Sequence, residues 1–383
     1  MSDVFKRVNR KGSGSIKWDY QVQNEELPFT IADSDYASPK CVKEALLKRA
    51  GLNNYGYTKQ GDDYYRAIKT WYKKSHNVEI DASWIVLTSG VLLGIKIVLD
   101  TIGQKGDKVA IMTPVYSNFY NLLKGIGREI LCSELINEDE HYRMDYENLE
   151  EHFKNGARIL LLCSPHNPVG RVWSKDELDK LVKLCQKYAV TIISDEIHSD
   201  IIMPGNKFTS LLAYKEYHSH IFVVSAPTKT FNLAGLLTAY LIIPNDENKK
   251  KTQEHISNNF LPGVNIMSAI ATKEVYTNPE GYEWMVNQNK HIQENYEMVK
   301  NALEPIGVKM PKIEGTYILW LNFENLGLSG EEVVRLFKES GVLVNKGSDY
   351  GKKYKSHIRM CVACSSAQLK EGIKRILKAN LEI

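Results

Sequence analysis

Long apolar runs are missing from this chain: over 383 residues none approaches the roughly 20 that a bilayer-spanning helix needs. That argues against a membrane span. No early apolar core preceded by positive charge is present either, so no secretory leader is expected and the chain reads as cytoplasmic. Cysteine is scarce. The six thiols lie far apart except for Cys361 and Cys364, which suits free thiols in a reducing compartment better than a disulfide framework. The lone C-x-x-C lacks the second pair that a zinc site would want. Neither charge dominates, since 49 Lys and Arg against 46 Asp and Glu leave a net charge of only +3. The basic residues are scattered, and the lysine-rich stretches at 249–251 and 352–355 read as solvated loops. Nothing therefore steers the chain toward nucleic acid or an anionic membrane. Internal repeats and low-complexity segments do not occur. A small ligand becomes the default partner.

What is present is a globular balance, 43% hydrophobic and 25% charged, able to bury a large core. Between residues 85 and 243 short apolar runs alternate with helical patterns. IVLTSG (85–90), KVAIMTP (108–114), RILLLCSP (158–165), VTIISDE (190–196), IFVVSAP (221–227) and LLTAYLIIP (236–244) read as strands. Their unbroken apolar character predicts strands buried on both faces, as in a parallel sheet covered by helices, which makes this an α/β fold. Val91, Leu92, Ile95, Val98, Leu99 and Ile102 form an amphipathic helical face, so Ser89-Gly90-Val91 is a strand-to-helix turn. Ser174 and Glu177 form a capping-box pattern ahead of Leu178, Leu181, Val182 and Cys185. The last third is expected to hold a polar helix around 282–304, a strand at 316–323, a helix from Ser329 to about Ser340 and another from about Ser366. Near the start, Ser38-Pro39 supplies the N-cap and first-turn residues of a helix. We expect a large unit over 46–285 and a smaller one built from 1–45 and 286–383.

In open parallel sheets ligands bind beyond the carboxyl ends of the strands. There the chain places Ser89-Gly90, Asn167, Asp195 and Lys229, one group for each of four strands. Singly, each has an ordinary explanation. Asn167-Pro168 is a common turn, Asp195 could cap a helix or join Glu196, His198 and Asp200 around a metal, and Lys229 could sit on a surface loop. Together they match one chemistry. Pyridoxal 5′-phosphate (PLP) requires a lysine amine for its aldehyde, a carboxylate for its pyridine nitrogen and an anion site for its phosphate. A lysine in a partly apolar pocket favours the neutral amine, which bonds carbonyls and takes protons. Ser89, Gly90 and Val91 would offer backbone N–H groups at a helix start to the phosphate, with Ser225 and Thr228 adding hydroxyls. Asn167 would meet the ring hydroxyl, and Tyr116 would stack on the ring.

The segments YGYT (55–58), TSGV (88–91), TPVYSNF (113–119), SPHNPVGRVW (164–173), SDEIHSD (194–200), SAPTKTFNLAGL (225–236) and IRMCVA (358–363) stand in a telling order. Through them the chain resembles fold-type I PLP-dependent enzymes of the class I and II aminotransferase superfamily, along almost its whole length. The resemblance implies Lys229 as the Schiff-base lysine, Asp195 as the pyridinium partner, Asn167 as the ring-hydroxyl contact and Tyr116 as the stacked ring. His198 falls beside the cofactor. Tyr57 matches a tyrosine that reaches the phosphate and substrate from a neighbouring subunit, so a homodimer with shared sites is implied. Arg359 matches the arginine that holds the substrate carboxylate, its planar fork suiting two oxygens; Asp33 falls on the same substrate side.

IADSDYASP, PHNPVGRVW, DEIHSD, APTKTFNLAGL and GTYILWLNF are each similar to the cystathionine β-lyase, or C-S lyase, subgroup. His198 stands where many aminotransferases carry tyrosine, and Leu237 about where many place a phosphate-binding arginine. The implied activity is β-elimination of L-cystathionine or cysteine-type substrates to thiol, pyruvate and ammonia, with no metal. An aminotransferase acting on an L-amino acid and a 2-oxo acid is the alternative. Ser34, Asn118 and Cys361 depart from the subgroup's usual methionine, proline and asparagine, and bear on substrate preference.

Overall fold

The computed structural model describes residues 5–379; residues 1–4 and 380–383 of the expected smaller unit lie outside them. Its centre is a seven-stranded sheet. In spatial order the strands are Ile85–Thr88, Ala239–Ile242, Ile221–Ser225, Thr191–Asp195, Ile159–Cys163, Lys108–Thr113 and Glu129–Glu134. All six strands expected from the apolar runs are therefore in it. One runs against its neighbours: Ala239–Ile242 is antiparallel to both Ile85–Thr88 and Ile221–Ser225, so the sheet is mixed, though mostly parallel. The seventh strand, Glu129–Glu134, escaped the sequence reading because it is an edge. It pairs only with Lys108–Thr113, its apolar run is just Ile130-Leu131-Cys132 between polar ends, and of its residues only Ser133 is fully buried.

Alternation explains why the central strands are apolar throughout. Val109, Ile111, Leu161, Ile193, Phe222 and Val224 enter one core with Ile95, Val98 and Leu99 of the helix Val91–Ile102. Their neighbours Ala110, Leu160, Ile192 and Val223 enter the opposite core with Leu178 and Leu181 of the helix Lys175–Lys187. Each strand thus buries both faces, and the sheet is clamped between helical layers. Gly94 lets one helix lie close, since a methyl there would come 3.0 Å from Val224. The capping box at Ser174 and Glu177 is present in both directions.

A second sheet is antiparallel, with His357–Cys361 between Ile318–Asn322 and the short strand Asn345–Lys346. The chain start joins this part: Leu27–Pro28 pairs with Val342–Leu343, and buried Asp35 accepts from Lys17 Nζ (2.9 Å), Trp18 Nε1 (2.8 Å) and Gln368 Nε2 (2.9 Å). The helices Pro279–Leu303, Gly330–Glu339 and Ser366–Ile376 stand close to their expected places. Two expectations change. The helix after Ser38-Pro39 begins one residue later, at Lys40, and its free N–H groups are met from another helix, by Glu280 (2.6 Å from Lys40 N, 3.1 Å from Cys41 N), while Ser38 Oγ donates to Asn232 O. The lysines at 249–251 lie in the helix Asp246–Asn258 rather than a loop, paired in part with Asp246, Glu247 and Glu254 one turn away. Among the described residues no helix is long and apolar enough to cross a membrane.

Candidate active site

Where the parallel strands end, a cavity of about 600 Å³ opens between the two sheets. Four strand ends each contribute at least one residue that the sequence suggested. Gly90 and Val91 begin the helix on one wall, Asn167 and Asp195 follow their strands, His198 lies one turn beyond, and Lys229 follows Ile221–Ser225. Tyr116 comes from the start of the helix Ser117–Gly125, and Arg359 from the second sheet.

Asp195 is 4% exposed, and the Oδ1 contact from Ile197 N (3.1 Å) does not offset its burial, which pushes the carboxyl up to about 7. Burial likewise lowers the Lys229 ammonium below its ordinary value. Its Nζ donates to Ala32 O at 2.6 Å, and Tyr317 donates to the same carbonyl at 3.0 Å. His198, edge-on to Tyr317, is held neutral: burial, aided by the positive charges of Lys229 and Arg359, brings its pKa down to about 3. Arg359 is buried, donates from Nη2 to Thr30 O (2.6 Å), and lies 5.1 Å over the ring of Tyr350. The Tyr116 hydroxyl accepts from Asn118 Nδ2 at 2.7 Å.

Other expected residues stand apart from this wall. Ser225 Oγ donates to Glu196 O (3.2 Å), and neither Ser225, Thr228 nor Ser89 lines the cavity. The Asp33 carboxylate is engaged by Arg10 (2.7 Å) and Lys17 (3.3 Å), so only its neighbours Thr30, Ile31 and Ala32 reach the cavity. Tyr57 is fully exposed. Asp195, Glu196, His198 and Asp200 do not converge as a metal cluster would. Glu196 is taken by Ser194, Ser210 and Leu211 N, and Asp200 by Trp71, His76 and Thr230. Three contributors went unread. Thr30 and Ala32 act through backbone carbonyls, which no side-chain motif announces, and Tyr350 lies just before the lysine-rich stretch 352–355, in a segment that carries no motif.

Residues 25–376 match the family described as aminotransferase class I and II. The chain belongs to this family. Among curated relatives, cystathionine beta-lyase PatB of Bacillus subtilis is 33% identical over 383 residues, covering 98% of each chain. Among solved structures, cystalysin of Treponema denticola, which contains a PLP cofactor, superposes with a TM-score of 0.94 at 30% identity over 99% of this chain and 98% of that one. A PLP-bound protein of Clostridium difficile, provisionally described as an aminotransferase, gives 0.95 at 34% identity with full coverage of both.

The cavity of this family member suits such a cofactor. Asn167 Oδ1, His198 Nδ1 and Arg359 Nε are buried without hydrogen-bond partners, an arrangement that is costly unless a polar group meets them. A methyl built on Gly90 would meet no protein atom within 4 Å, leaving the helix start open to an anion. Among the described residues Asp195 forms no ion pair, Lys229 acting on it only weakly beside its burial, and a protonated ring nitrogen would supply a direct partner.

Proposed function

We propose that this protein is a PLP-dependent carbon–sulfur lyase that eliminates the β-thio substituent of L-cystathionine or a related cysteine derivative. The observation that carries the reading is the convergence of Lys229, Asp195 and Arg359 on one cavity from three separate elements. Elimination, rather than amino-group transfer, is supported by the full-length likeness to PatB and cystalysin.

PLP, when bound, supplies an electron sink for the substrate α-carbon. Lys229 holds its aldehyde and, with the amine form favoured by burial, takes the α-proton once substrate has displaced it. Asp195, a buried carboxylate of the cavity wall, would keep the ring nitrogen charged. Arg359 turns its fork from the Thr30 carbonyl to the substrate carboxylate, fixing the α-hydrogen toward Lys229. Asn167 would meet the ring hydroxyl, Tyr116 would cover the ring, and the helix start at Gly90 and Val91 would take the phosphate. His198 stays neutral, so it adds no charge to compete with Lys229 or Arg359. The Cβ–S bond then breaks, the sulfur leaves with the electron pair and is protonated, and the remaining 2-aminoacrylate hydrolyses to pyruvate and ammonia.

The working unit is a homodimer. Residues 51–59 form an unbroken exposed stretch that includes Tyr55 and Tyr57, and Leu237 at the cavity mouth and Phe260 are also exposed. Such apolar exposure fits a covered interface. The test is pyruvate release from L-cystathionine by PLP-loaded protein without any 2-oxo acid. We expect steady release, abolished in Lys229→Ala together with the cofactor's visible absorbance. Turnover only after a 2-oxo acid is added would make the protein an aminotransferase instead.

A further inference from the structure

The cavity around Lys229 abuts a second one. A groove of about 700 Å³ lies between the helix Ser117–Gly125, the edge strand Glu129–Glu134 and residues 345–354, and it shares Ser117, Asn345 and Tyr350 with the first. Tyr350 joins the two: its ring backs the Arg359 guanidinium at 5.1 Å, and its carbonyl accepts from Tyr120 OH at 3.4 Å. Once Arg359 holds the substrate carboxylate and Lys229 faces the α-hydrogen, the β-substituent has to leave this space in some direction. Beyond the shared boundary the groove is lined by the rings of Tyr120, Tyr350 and Tyr354. Such rings suit a methylene chain and a sulfur.

Charge gives the groove a preference. Lys353 is paired with Glu134 at 2.6 Å. Lys124 and Lys352 also line the groove, and among the described residues neither has an ion-pair partner. Both are close enough to Cys132, on the edge strand, to act on its thiol, although partial desolvation and the nearby Glu134 outweigh them and raise its pKa. The groove's two carboxylates, Glu134 and Asp349, are each faced by another lysine, Lys353 and Lys346 (3.9 Å), so the groove offers an aromatic wall followed by two cations without ion-pair partners.

We propose that this groove is the subsite for the leaving thiol, and that it selects β-thio-substituted L-amino acids whose thiol half carries its own carboxylate, as an amino-acid or peptidyl thiol does. The proposal rests on the C-S lyase reading and deepens it. The distal carboxylate meets Lys124 and Lys352, while a small uncharged thiol leaves them unused.

Two substrates separate the ideas: L-cystathionine, with a carboxylate on its thiol half, and S-methyl-L-cysteine, with none. In Lys124→Gln/Lys352→Gln protein, kcat/KM for cystathionine should fall roughly tenfold, through KM, the size expected for losing a charge-assisted contact at the surface. For S-methyl-L-cysteine it should stay within about twofold. Equal losses on both, or none on either, overturn the proposal. Alkylation gives a second readout, because Cys132 lines the groove and is the exposed one of the six cysteines. Cystathionine added to PLP-loaded Lys229→Ala protein should slow iodoacetamide labelling of Cys132, and S-methyl-L-cysteine should not. Absence of that protection also overturns it. Should the parent release no pyruvate from either substrate, the lyase reading fails, and the labelling result alone then upholds or rejects the groove.

Discussion

Asp195 shows at the residue scale what the cofactor does for the protein as well as for the substrate. Its folded pKa, about 7, lies above the ordinary 3.8, so between these values the folded state keeps a proton that the unfolded chain has given up. Stability contributed by this group therefore falls as pH rises from about 4 to about 7, and then levels off. At about 1.4 kcal/mol per unit, the full loss is on the order of 4 kcal/mol. Cofactor-free Asp195→Asn should accordingly melt with the parent near pH 4 and above it at pH 8. Glu196, also raised to about 7 by burial, is unchanged in both proteins and drops out of the comparison. Equal melting temperatures at pH 8 would mean that burial does not hold Asp195 neutral. Saturating PLP should narrow the gap by giving the ionised carboxylate a cationic partner. Arg359→Lys tests a geometric requirement instead. Lysine keeps the charge but loses the fork, so kcat/KM for cystathionine should drop ten- to a hundredfold, or about 1.5–3 kcal/mol; a change below threefold would remove Arg359 from carboxylate binding.

At the scale of elements, what was legible depended on whether the signal was local. Strands buried on both faces announce themselves as apolar runs, and all six were readable. The edge strand Glu129–Glu134 was not, because a strand with one neighbour and solvent on its flank has no reason to be apolar throughout. The polar strand-end residues of the site were readable for the same local reason, each directly following its strand. The carbonyls of Ala32 and Thr30 were not, since their roles depend on one chain segment meeting Lys229 across about 200 residues of sequence and Arg359 across about 330. The junction of the helices Ile266–Thr277 and Pro279–Leu303 was equally silent. Gly281 lies where a methyl would come 2.0 Å from Val275 O, and next to it Glu280 caps the helix beginning at Lys40. Backbone cannot move aside as a flexible side chain can. Gly281→Ala should therefore lower the urea midpoint by an amount equivalent to roughly 2–3 kcal/mol, and Glu280→Ala by about 1 kcal/mol. A Gly281→Ala midpoint equal to the parent's would show that the junction relaxes freely.

The whole molecule raises a question that one chain cannot answer within itself: Tyr57, expected from the sequence to serve a site, stands fully exposed and outside the cavity wall. A role in its own subunit would require the whole exposed stretch 51–59 to fold back; a role in a partner requires only that two chains associate with twofold symmetry, each lending its arm to the other. These alternatives differ in a countable way. Lys229→Ala removes the lysine of its own site, whereas Tyr57→Ala removes a tyrosine from whichever site the arm serves. In a heterodimer of the two variants, an arm acting on the partner brings both defects into one site and leaves the other intact, while an arm acting on its own subunit leaves one defect in each. Random exchange in an equal mixture makes half the dimers mixed, and one intact site in each restores about a quarter of parent activity. Pyruvate release from L-cystathionine by the mixture, measured after exchange in dilute denaturant and compared with each variant alone, should therefore rise toward about a quarter of the parent rate. A mixture no faster than the average of its two components would place Tyr57 outside the partner's site.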